Sequence, residues 1–262
     1  MDARAQNLLD AYDRGGQIAP FSDRAGFDLD QGYVIAADIH GARLARGDVA
    51  RGRKIGFTNR TIWPIYNVHA PVWGWVYGST LGDIPADGVI ELPHLPELRI
   101  EPEIALGFAQ APEPGMDLAA LAGCIEWVAH SIELVFSVYP GWRFTAPDTA
   151  AAFGMHGALW LGEQVAAGDI LGPDGTGLDD FALVLEGGGE RLRGHSSDVL
   201  GGPMQALAHL VETLAAQSAQ PLVAGEVVTT GTLTDARPMA SGQHWTTQIT
   251  GCALPGLSVA FA

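Results

Sequence analysis

Three glutamates occur inside segments that are otherwise apolar. Glu101 and Glu103 are two residues apart in residues 100–105, and Glu133 lies within the apolar run 131–138. In an extended chain, side chains two apart share a face, so the first two carboxylates point the same way. Buried carboxylates are costly alone and repel one another, whereas a shared hard cation compensates them. The pattern therefore predicts an Mg²⁺ or Mn²⁺ site, although such pairs also occur on solvated strand faces.

Lys54 is the second candidate for chemistry. It ends the basic run 51–54 and then enters an alternating apolar segment. A lysine in this setting can bind a substrate carboxylate or act as an acid or base with a shifted pKa. A lysine at the mouth of a strand is also often only solvated, and the local pattern leaves both interpretations open.

A third candidate is the turn-like segment Thr229-Thr230-Gly231-Thr232, which follows a short predicted strand. Backbone N–H groups beside a glycine, together with hydroxyl groups, can form a cradle for an anionic group. An ordinary turn would have the same composition, so this interpretation also stays open.

Signatures of several other enzyme classes are missing from the sequence. Ser131, Ser137 and Ser241 lack the Gly-x-Ser-x-Gly elbow of serine hydrolases. The glycines at 187–189 precede Glu190 rather than a helix start, which argues against a nucleotide loop. No histidines have metal-ligand spacing. Four isolated ones are expected to be packed or surface residues: His69, His130, His156 and His195.

The elements that position these residues begin as helices and continue as strands. Residues 1–50 show helical spacing, with one helix ended by Gly15-Gly16 and a second from about Leu29 to Leu44. From Lys54 onward, alternating segments are punctuated by Gly and Pro, as in short strands. Helices in front, strands behind and few βα units predict an α+β domain rather than a doubly wound sheet.

The remaining element predictions concern the β-rich part of the chain. They are strands at 54–58, 72–77 and 98–108, the last interrupted by Pro102; a helix over 117–129; short strands and loops from 142 to 203; a helix over 203–215; and strands within 223–261.

Composition excludes several kinds of partner. The 262 residues include 14 basic and 30 acidic side chains, a formal net charge of −16. We therefore expect no nucleic-acid partner and no anionic membrane surface. No apolar run approaches the length that spans a bilayer, and the amino terminus lacks a secretion signal. Cys124 and Cys252 are far apart, which suits a reducing compartment, so a cytoplasmic location is expected.

Taken together, five segments in order resemble the fumarylacetoacetate hydrolase superfamily, specifically its 2-keto-4-pentenoate hydratase / 2-oxo-3-enedioate decarboxylase branch. Residues 52–58 are similar to the family's lysine-bearing strand, residues 99–105 to its paired-acid strand and residues 132–135 to the strand with its third metal ligand. Residues 200–203 are similar to the start of a family helix, and residues 224–232 to its closing glycine turn. The resemblance covers nearly the whole chain.

The resemblance implies a mixed β-sheet barrel or roll over residues 51–262, one structural unit preceded by the helical segment 1–50. It implies Mg²⁺ or Mn²⁺ bound by the three glutamates, and Lys54 as the catalytic residue. Substrate contacts would come from the segments around the lysine and the closing turn: Gly56, Thr58, Thr230, Gly231 and Thr232. The implied assembly is a homo-oligomer.

The implied reaction is hydration of a 2-hydroxy-2,4-dienoate from aromatic catabolism to a 4-hydroxy-2-oxo acid. The same metal site would serve decarboxylation of a 2-oxo-3-enedioate. A C–C hydrolase of the acylpyruvate type would need a water-activating His–Glu pair, which the sequence does not reveal. A catalytically silent family member is the fourth alternative.

The sequence departs from the family at several places. Phe136 and Val138 replace an acid and an arginine that often follow the third ligand, and residues 78–80 lack nearby acids that many relatives carry. The segment after Thr58 is unusually aromatic, and we expect its rings to form core or to line a pocket for a bulkier substrate: Trp63, Tyr66, Trp73, Trp75 and Tyr77.

Overall fold

The computed structural model describes residues 1–66 and 68–262, without the side chains of residues 65 and 66. The helices are α1 (Ala3–Asp13), α2 (Leu29–Ala45), α3 (Trp63–Tyr66), α4 (Leu118–Gly123), α5 (Ala146–Ala151), α6 (Ala167–Leu171) and α7 (Pro203–Ala216). The strands are β1 (Ala50–Gly56), β2 (Val72–Tyr77), β3 (Leu81–Asp83), β4 (Val89–Ile90), β5 (Arg99–Phe108), β6 (Ile125–Val135), β7 (His156–Ala166), β8 (Ala182–Gly187), β9 (Glu190–His195), β10 (Val227–Thr229), β11 (Arg237–Pro238), β12 (His244–Thr250) and β13 (Ser258–Phe261). None of the helices in this part of the chain is long and apolar enough to cross a membrane.

The two amino-terminal helices lie close to their predicted positions. Asp28 caps α2 by accepting a hydrogen bond from the Gln31 N–H, and the Gln31 side chain accepts one from the Asp28 N–H in return. This reciprocal pair satisfies two donors that a helix start leaves free. Ile35 and Ile39, one helical turn apart on α2, are fully buried and hold the helix to the core.

The larger sheet positions the candidate site. Its strand order is β2-β1-β10-β5-β6-β7-β3, and β11 pairs with one end of β5. The β1–β10 and β3–β7 pairs are parallel and the others are antiparallel, so the sheet is mixed. β2 and β3 stand at opposite ends of this order, yet only residues 78–80 separate them in the chain. The sheet must therefore curl into a roll, and the α+β prediction with a mixed-sheet roll is confirmed.

A second sheet packs beside the roll. Its order is β4-β13-β12-β8-β9, and its inner residues share one continuous buried cluster with the roll and the helices. The helix α7 contributes to the same cluster through Leu207, Leu210 and Leu214, which recur at helical spacing as predicted.

Pro102 does not interrupt β5, which runs unbroken over ten residues. The Pro102 carbonyl accepts a hydrogen bond from the Leu233 N–H at 2.9 Å. The nitrogen and carbonyl of one strand residue face the same side, so the proline nitrogen also faces this side, where the partner strand changes from β10 to β11. A proline is tolerated there because no regular ladder needs its missing N–H.

Two other element predictions were wrong. The helix expected over 117–129 ends at Gly123, and β6 begins at Ile125 because the following aromatic and β-branched residues pair with the end of β5. The region between 142 and 203 contains more regular structure than expected, including the eleven-residue strand β7. This strand completes the roll beside β6, with its register shifted twice by irregularities.

Candidate active site

The three predicted glutamates meet inside the roll. Glu101 pairs directly with Glu133 across the β5–β6 ladder, and Glu103 is two residues farther along β5 on the same face. One carboxylate oxygen from each residue lies within 4.8 Å of the other two. Two adjacent antiparallel strands therefore concentrate three acids in one place.

Glu103 is held by the segment that closes the site. Its Oε2 accepts hydrogen bonds from the Thr229 hydroxyl and, at 2.8 Å, from the Gly231 N–H. Gly231 has φ +105°, and a Cβ at this position would overlap the side chain of Thr58. Only glycine allows both the backbone conformation and the close approach. The turn thus orients a candidate ligand.

Glu133 is held by a residue that the sequence did not reveal. His156 Nδ1 lies 2.7 Å from Glu133 Oε1, and His156 Nε2 lies 2.9 Å from the Thr80 hydroxyl oxygen. The Tyr77 N–H donates to the same Thr80 oxygen at 3.2 Å. The Thr80 hydroxyl also lies within donating distance of the Tyr77 carbonyl, at 3.2 Å, so the contact with Glu133 decides the tautomer. An ionised carboxylate only accepts, so a neutral imidazole carries its proton on Nδ1 and donates it to Glu133. Burial, with the nearby charges of Lys54 and Arg43, lowers the pKa of His156 well below its ordinary value, consistent with a neutral ring.

Lys54 is buried at the carboxylate cluster rather than solvated. Its Nζ donates a hydrogen bond to the Gly154 carbonyl at 2.9 Å and lies 3.3 Å from Glu133 Oε2. Burial alone would lower the pKa of Lys54. The surrounding carboxylates, Glu133 foremost, outweigh that effect and raise the pKa, so the side chain is a cation.

Burial disfavours the charged form of all three carboxylates. Burial raises the pKa of Glu101 to about 8, with Lys54 opposing the rise and the other two acids adding to it. Burial also raises the pKa of Glu103 and Glu133. Glu103 Oε1 accepts no hydrogen bond from any residue the structure describes, and Glu133 Oε2 has its ion pair with Lys54 as its partner. Three buried carboxylates facing one ammonium group leave negative charge that a divalent cation with oxygen ligands would compensate.

A cavity of about 250 Å³ opens beside this cluster. Glu101, Glu103 and Lys54 line it, whereas Glu133 is fully buried and is not among the lining residues. Its walls are partly apolar and partly cationic, formed by residues that include Ile62, Arg99, Val135, Trp142, Phe144 and Arg237. The cavity combines an acid cluster with space for a small organic molecule.

The predicted substrate residues fall into two groups. Gly56, Thr58 and Thr232 line the cavity. The Thr230 side chain instead faces the backbone, because its hydroxyl donates to the Ile104 carbonyl at 3.1 Å. The Gly231 N–H donates to the Glu103 carboxylate. The last two therefore support the site from outside the cavity surface.

The aromatic residues after Thr58 are mainly core. Trp73, Trp75 and Tyr77 are buried, and their rings pack against side chains of α2. Trp63 is partly exposed and donates its Nε1–H to the Phe57 carbonyl at 2.8 Å. The side chain of Tyr66 lies outside the described residues.

The positions that depart from the family pattern have structural partners here. The Ser79 hydroxyl donates a hydrogen bond to the Asp48 carboxylate at 2.7 Å, and the Thr80 hydroxyl contacts His156. Phe136 packs edge-on against the Tyr12 ring. Sequence reasoning also missed His156, which had no signal beyond being an isolated histidine, because its register on β7 depends on two irregularities.

Comparison with known proteins identifies this architecture. No family model matches the sequence. The chain resembles the 4-oxalocrotonate decarboxylase of Pseudomonas putida G7, solved with magnesium and adipate, with a TM-score of 0.87 and 24% identity over 98% of this chain and 95% of that one. This likeness shows the fold, that of the fumarylacetoacetate hydrolase superfamily.

Two curated relatives narrow the family. The 2-hydroxyhexa-2,4-dienoate hydratase of Comamonas testosteroni is 28% identical over 96% of this chain and 94% of its own length. The 2-keto-4-pentenoate hydratase 1 of Dechloromonas aromatica is 30% identical over 100% of this chain and 97% of its own length. The chain belongs to the 2-keto-4-pentenoate hydratase / 4-oxalocrotonate decarboxylase family of enzymes.

Proposed function

We propose that the protein is a hydratase that adds water to a 2-hydroxy-2,4-dienoate of the 2-keto-4-pentenoate type and yields a 4-hydroxy-2-oxo acid in aromatic catabolism. The observation that carries the proposal is the convergence of Glu101, Glu103 and Glu133 beside Lys54 at a small cavity. The curated hydratase relatives cover nearly the whole chain and support the same reaction.

Glu101, Glu103 and Glu133 are the residues that would hold Mg²⁺ or Mn²⁺, because all three offer the carboxylate oxygens that these hard ions prefer. When bound, the ion would supply Lewis-acid polarisation of the substrate carboxylate and C2 oxygen. Glu103 enters this arrangement already oriented by Gly231, and Glu133 is oriented by His156.

Lys54 supplies positive charge and a proton at the cavity floor. As a cation, its Nζ can donate a hydrogen bond to the substrate carboxylate or carry a proton to the substrate. Ketonisation removes the proton of the C2 hydroxyl and adds one at C5, which leaves a C3=C4 double bond conjugated to the new ketone. Water then adds its hydroxyl at C4 and its proton at C3, so atoms balance. Gly56, Thr58 and Thr232 would frame the substrate, while Thr230 and Gly231 support that frame.

Decarboxylation of a 2-oxo-3-enedioate is the second candidate. The acid cluster serves either reaction, and 4-oxalocrotonate decarboxylases are among the curated relatives at 25% to 27% identity. Residues 78–80 lack the acids that many relatives carry, which favours a reaction that needs no water delivery from this segment.

The hydrolase alternative is weaker. A His–Glu pair exists, but both nitrogens of His156 are engaged, one by Glu133 and one by Thr80. Neither nitrogen is left to activate water. A silent family member is also disfavoured, because the acid cluster, the lysine and the cavity occur together.

The deciding experiment incubates the purified protein with a panel of 2-hydroxydienoates and 2-oxo-enedioates, after removal of divalent ions and after adding Mg²⁺ or Mn²⁺. Loss of the dienol absorbance without CO₂ release supports hydration, whereas CO₂ release identifies the decarboxylase. Full activity in the presence of a chelator contradicts the metal-dependent mechanism.

The cellular setting completes the proposal. Cys124 and Cys252 are both free thiols in the described chain, as a reducing cytoplasm allows. We infer a cytoplasmic homo-oligomer with a small 2-oxo or 2-hydroxy acid as its substrate. Gel filtration with light scattering tests the assembly: a monomer would contradict it.

A further inference from the structure

Hydration needs a group that accepts a proton from water, and the residues assigned so far leave that role open. Lys54 is already a cation, and both nitrogens of His156 are engaged by other side chains. Glu101 and Glu103 would hold the divalent ion. A proton acceptor must therefore come from elsewhere in the cavity lining.

One further acid lines the cavity. Among the described residues of the lining, the ionisable side chains are those of Lys54, Arg99, Glu101, Glu103, Asp235 and Arg237. Three of these are cations, which donate hydrogen bonds and do not accept them. Two belong to the acid cluster, so Asp235 is the residue that remains with carboxylate oxygens to accept a proton.

The backbone contacts on either side of Asp235 place it alongside the acid cluster. The Leu233 N–H donates to the Pro102 carbonyl at 2.9 Å, and β11 pairs with β5 at Ile100. Asp235 lies between these two contacts, in the stretch that joins β10 to β11, and Glu101 lies between their partners on β5. Asp235 is therefore level with Glu101 and faces the same cavity.

Threonine hydroxyl groups fix the backbone next to Asp235. The Thr232 hydroxyl donates to the Thr234 carbonyl at 2.8 Å and accepts from the Thr234 N–H at 3.3 Å. The Thr234 hydroxyl donates to the Asp235 carbonyl at 3.2 Å, and Thr234 is buried. These hydrogen bonds hold the main chain at the cavity wall and do not involve the Asp235 carboxylate.

The Asp235 carboxylate is only loosely engaged within the described residues. Its ion-pair partner is Arg237 at 3.6 Å, whereas Glu190 lies closer to that arginine, at 2.8 Å. The Asp235 side chain is 56% exposed, so a proton that it accepts can pass to solvent. A carboxylate that lines the cavity and also reaches solvent is suited to removing a proton from water.

We propose that Asp235 is the general base of the hydration step and accepts a proton from the water molecule that attacks C4. The inference rests on the proposed function. The water oxygen bonds to C4, its proton passes to the Asp235 carboxylate, and the electron pair of the C3=C4 bond moves toward the C2 oxygen as an enolate. C3 then takes a proton from solvent and Asp235 releases one, so atoms and charges balance. No water attacks during ketonisation, so that step does not need Asp235.

The test follows the two steps separately in one reaction. Mg²⁺-loaded protein is incubated with 2-hydroxy-2,4-pentadienoate in D₂O and followed by NMR. Deuterium at C5, in the unsaturated ketone or in recovered dienoate, reports ketonisation, and the 4-hydroxy-2-oxo acid reports hydration. We expect Asp235→Asn to lower hydration by about 100-fold or more, while deuterium enters C5 within about threefold of the wild-type rate. Asp235→Glu keeps a carboxylate and should recover part of the hydration.

Glu190→Gln is the matched control. Glu190 is the nearer ion-pair partner of Arg237, is exposed and does not line the cavity. This variant removes the same charge beside the same arginine, so it should hydrate the substrate like the wild type. A loss in Glu190→Gln as large as in Asp235→Asn would trace the effect to Arg237 and overturn the role of Asp235.

The outcomes separate the general base from the proposed function. If the wild type hydrates the dienoate and Asp235→Asn does so within about threefold, or if Asp235→Asn slows both steps equally, Asp235 is not the base and the proposed function stands. If the wild type neither places deuterium at C5 nor forms the 4-hydroxy-2-oxo acid, the proposed function itself fails and the role of Asp235 with it.

Discussion

The carboxylate cluster depends on residues that orient its members. Glu133 receives a hydrogen bond from His156, whose other nitrogen is fixed by Thr80. A carboxylate held in this way is oriented before a cation binds, so less side-chain conformational entropy is lost on binding. His156 is therefore a positioning residue, and its effect should appear in cation affinity.

We expect His156→Leu to weaken Mn²⁺ binding by about 10- to 100-fold, because Glu133 loses its donor and its fixed orientation. His156→Gln retains an N–H donor and should lose less. Titration followed by Mn²⁺ electron paramagnetic resonance measures both. His195→Leu, on the surface, is the control. Equal affinity in His156→Leu and wild type would contradict the positioning role.

Lys54 should matter for turnover and not for cation retention. We expect Lys54→Met to lower kcat by roughly 100-fold or more, because the cavity loses its cationic proton carrier. Mn²⁺ binding should persist, since the three carboxylates remain. Arg51→Met removes an exposed charge from the same strand and should leave kcat unchanged. An unchanged kcat in Lys54→Met would mean that Lys54 stabilises the structure and takes no part in turnover.

At the residue scale, the sequence contained the acids and the lysine but not their supports. Glu101 and Glu103 could be placed on one face because strand spacing alone determines it. His156 could not be recognised, because its contact with Glu133 depends on the register of β7. Such contacts join residues that no local pattern connects.

At the element scale, the turn after β10 links backbone conformation to the site. Gly231 adopts a positive φ, lies against Thr58 and donates to Glu103. A side chain at this position would push the turn away from the candidate ligand. Strand propensity predicted β10, but the close approach of the turn to Thr58 is a tertiary feature that residue types alone do not encode.

Gly231→Ala should lower the free energy of unfolding by roughly 3 kcal/mol, from backbone strain together with the overlap with Thr58. It should also weaken Mn²⁺ binding. Gly225→Ala is a matched control, because Gly225 has φ +82° but no atom within 4 Å of an added Cβ. Strain alone should cost this variant about 1 kcal/mol. Urea unfolding measures the free energy of unfolding of both variants, and an equal decrease in the two would contradict the contact between the turn and Thr58.

The β5–β6 pair shows what local patterns miss between elements. The segment before Glu133 had helical spacing, yet its residues from Ile125 onward form a strand, because pairing with β5 outweighs a weak helical periodicity. Pro102 stays within β5 because its nitrogen faces a break between partner strands. Both outcomes depend on which strand lies alongside. The bounds of the helices α2 and α7 were predicted closely, and in α7 the apolar residues recur at helical spacing.

At the scale of the whole molecule, buried histidines couple stability to pH. His130 is fully buried on β6, with its Nδ1 3.2 Å from the Pro255 carbonyl. Burial lowers its pKa to about 4, so the folded protein keeps it neutral. The unfolded chain binds this proton near pH 6.5, so stability is fully present above pH 6.5 and falls as the pH drops toward 4.

We expect wild type to lose up to about 3 kcal/mol of unfolding free energy from His130 between pH 7 and pH 4. His130→Gln lacks this titration, so the difference in unfolding free energy between wild type and variant should narrow or reverse on acidification. Urea unfolding at several pH values measures it. A difference that stays constant from pH 7 to 4 would mean that His130 carries a proton in the folded state.

The overall architecture was predictable in class and not in detail. Residue order indicated an α+β fold, and the family resemblance supplied the roll. The curling of the sheet follows from the short connection between β2 and β3, which brings Lys54, β5 and β6 around one interior. The acidic chain thereby brings three buried carboxylates and the Lys54 ammonium together beside one cavity.

The most direct test of this account is the stoichiometry and affinity of divalent cation binding. Calorimetric titration of metal-free protein with Mn²⁺ should give one tight site per chain. Glu101→Gln, Glu103→Gln and Glu133→Gln should each abolish that site or weaken it severely, while each variant stays folded by circular dichroism. Tight binding that survives in all three variants would falsify the claim that these glutamates hold one ion.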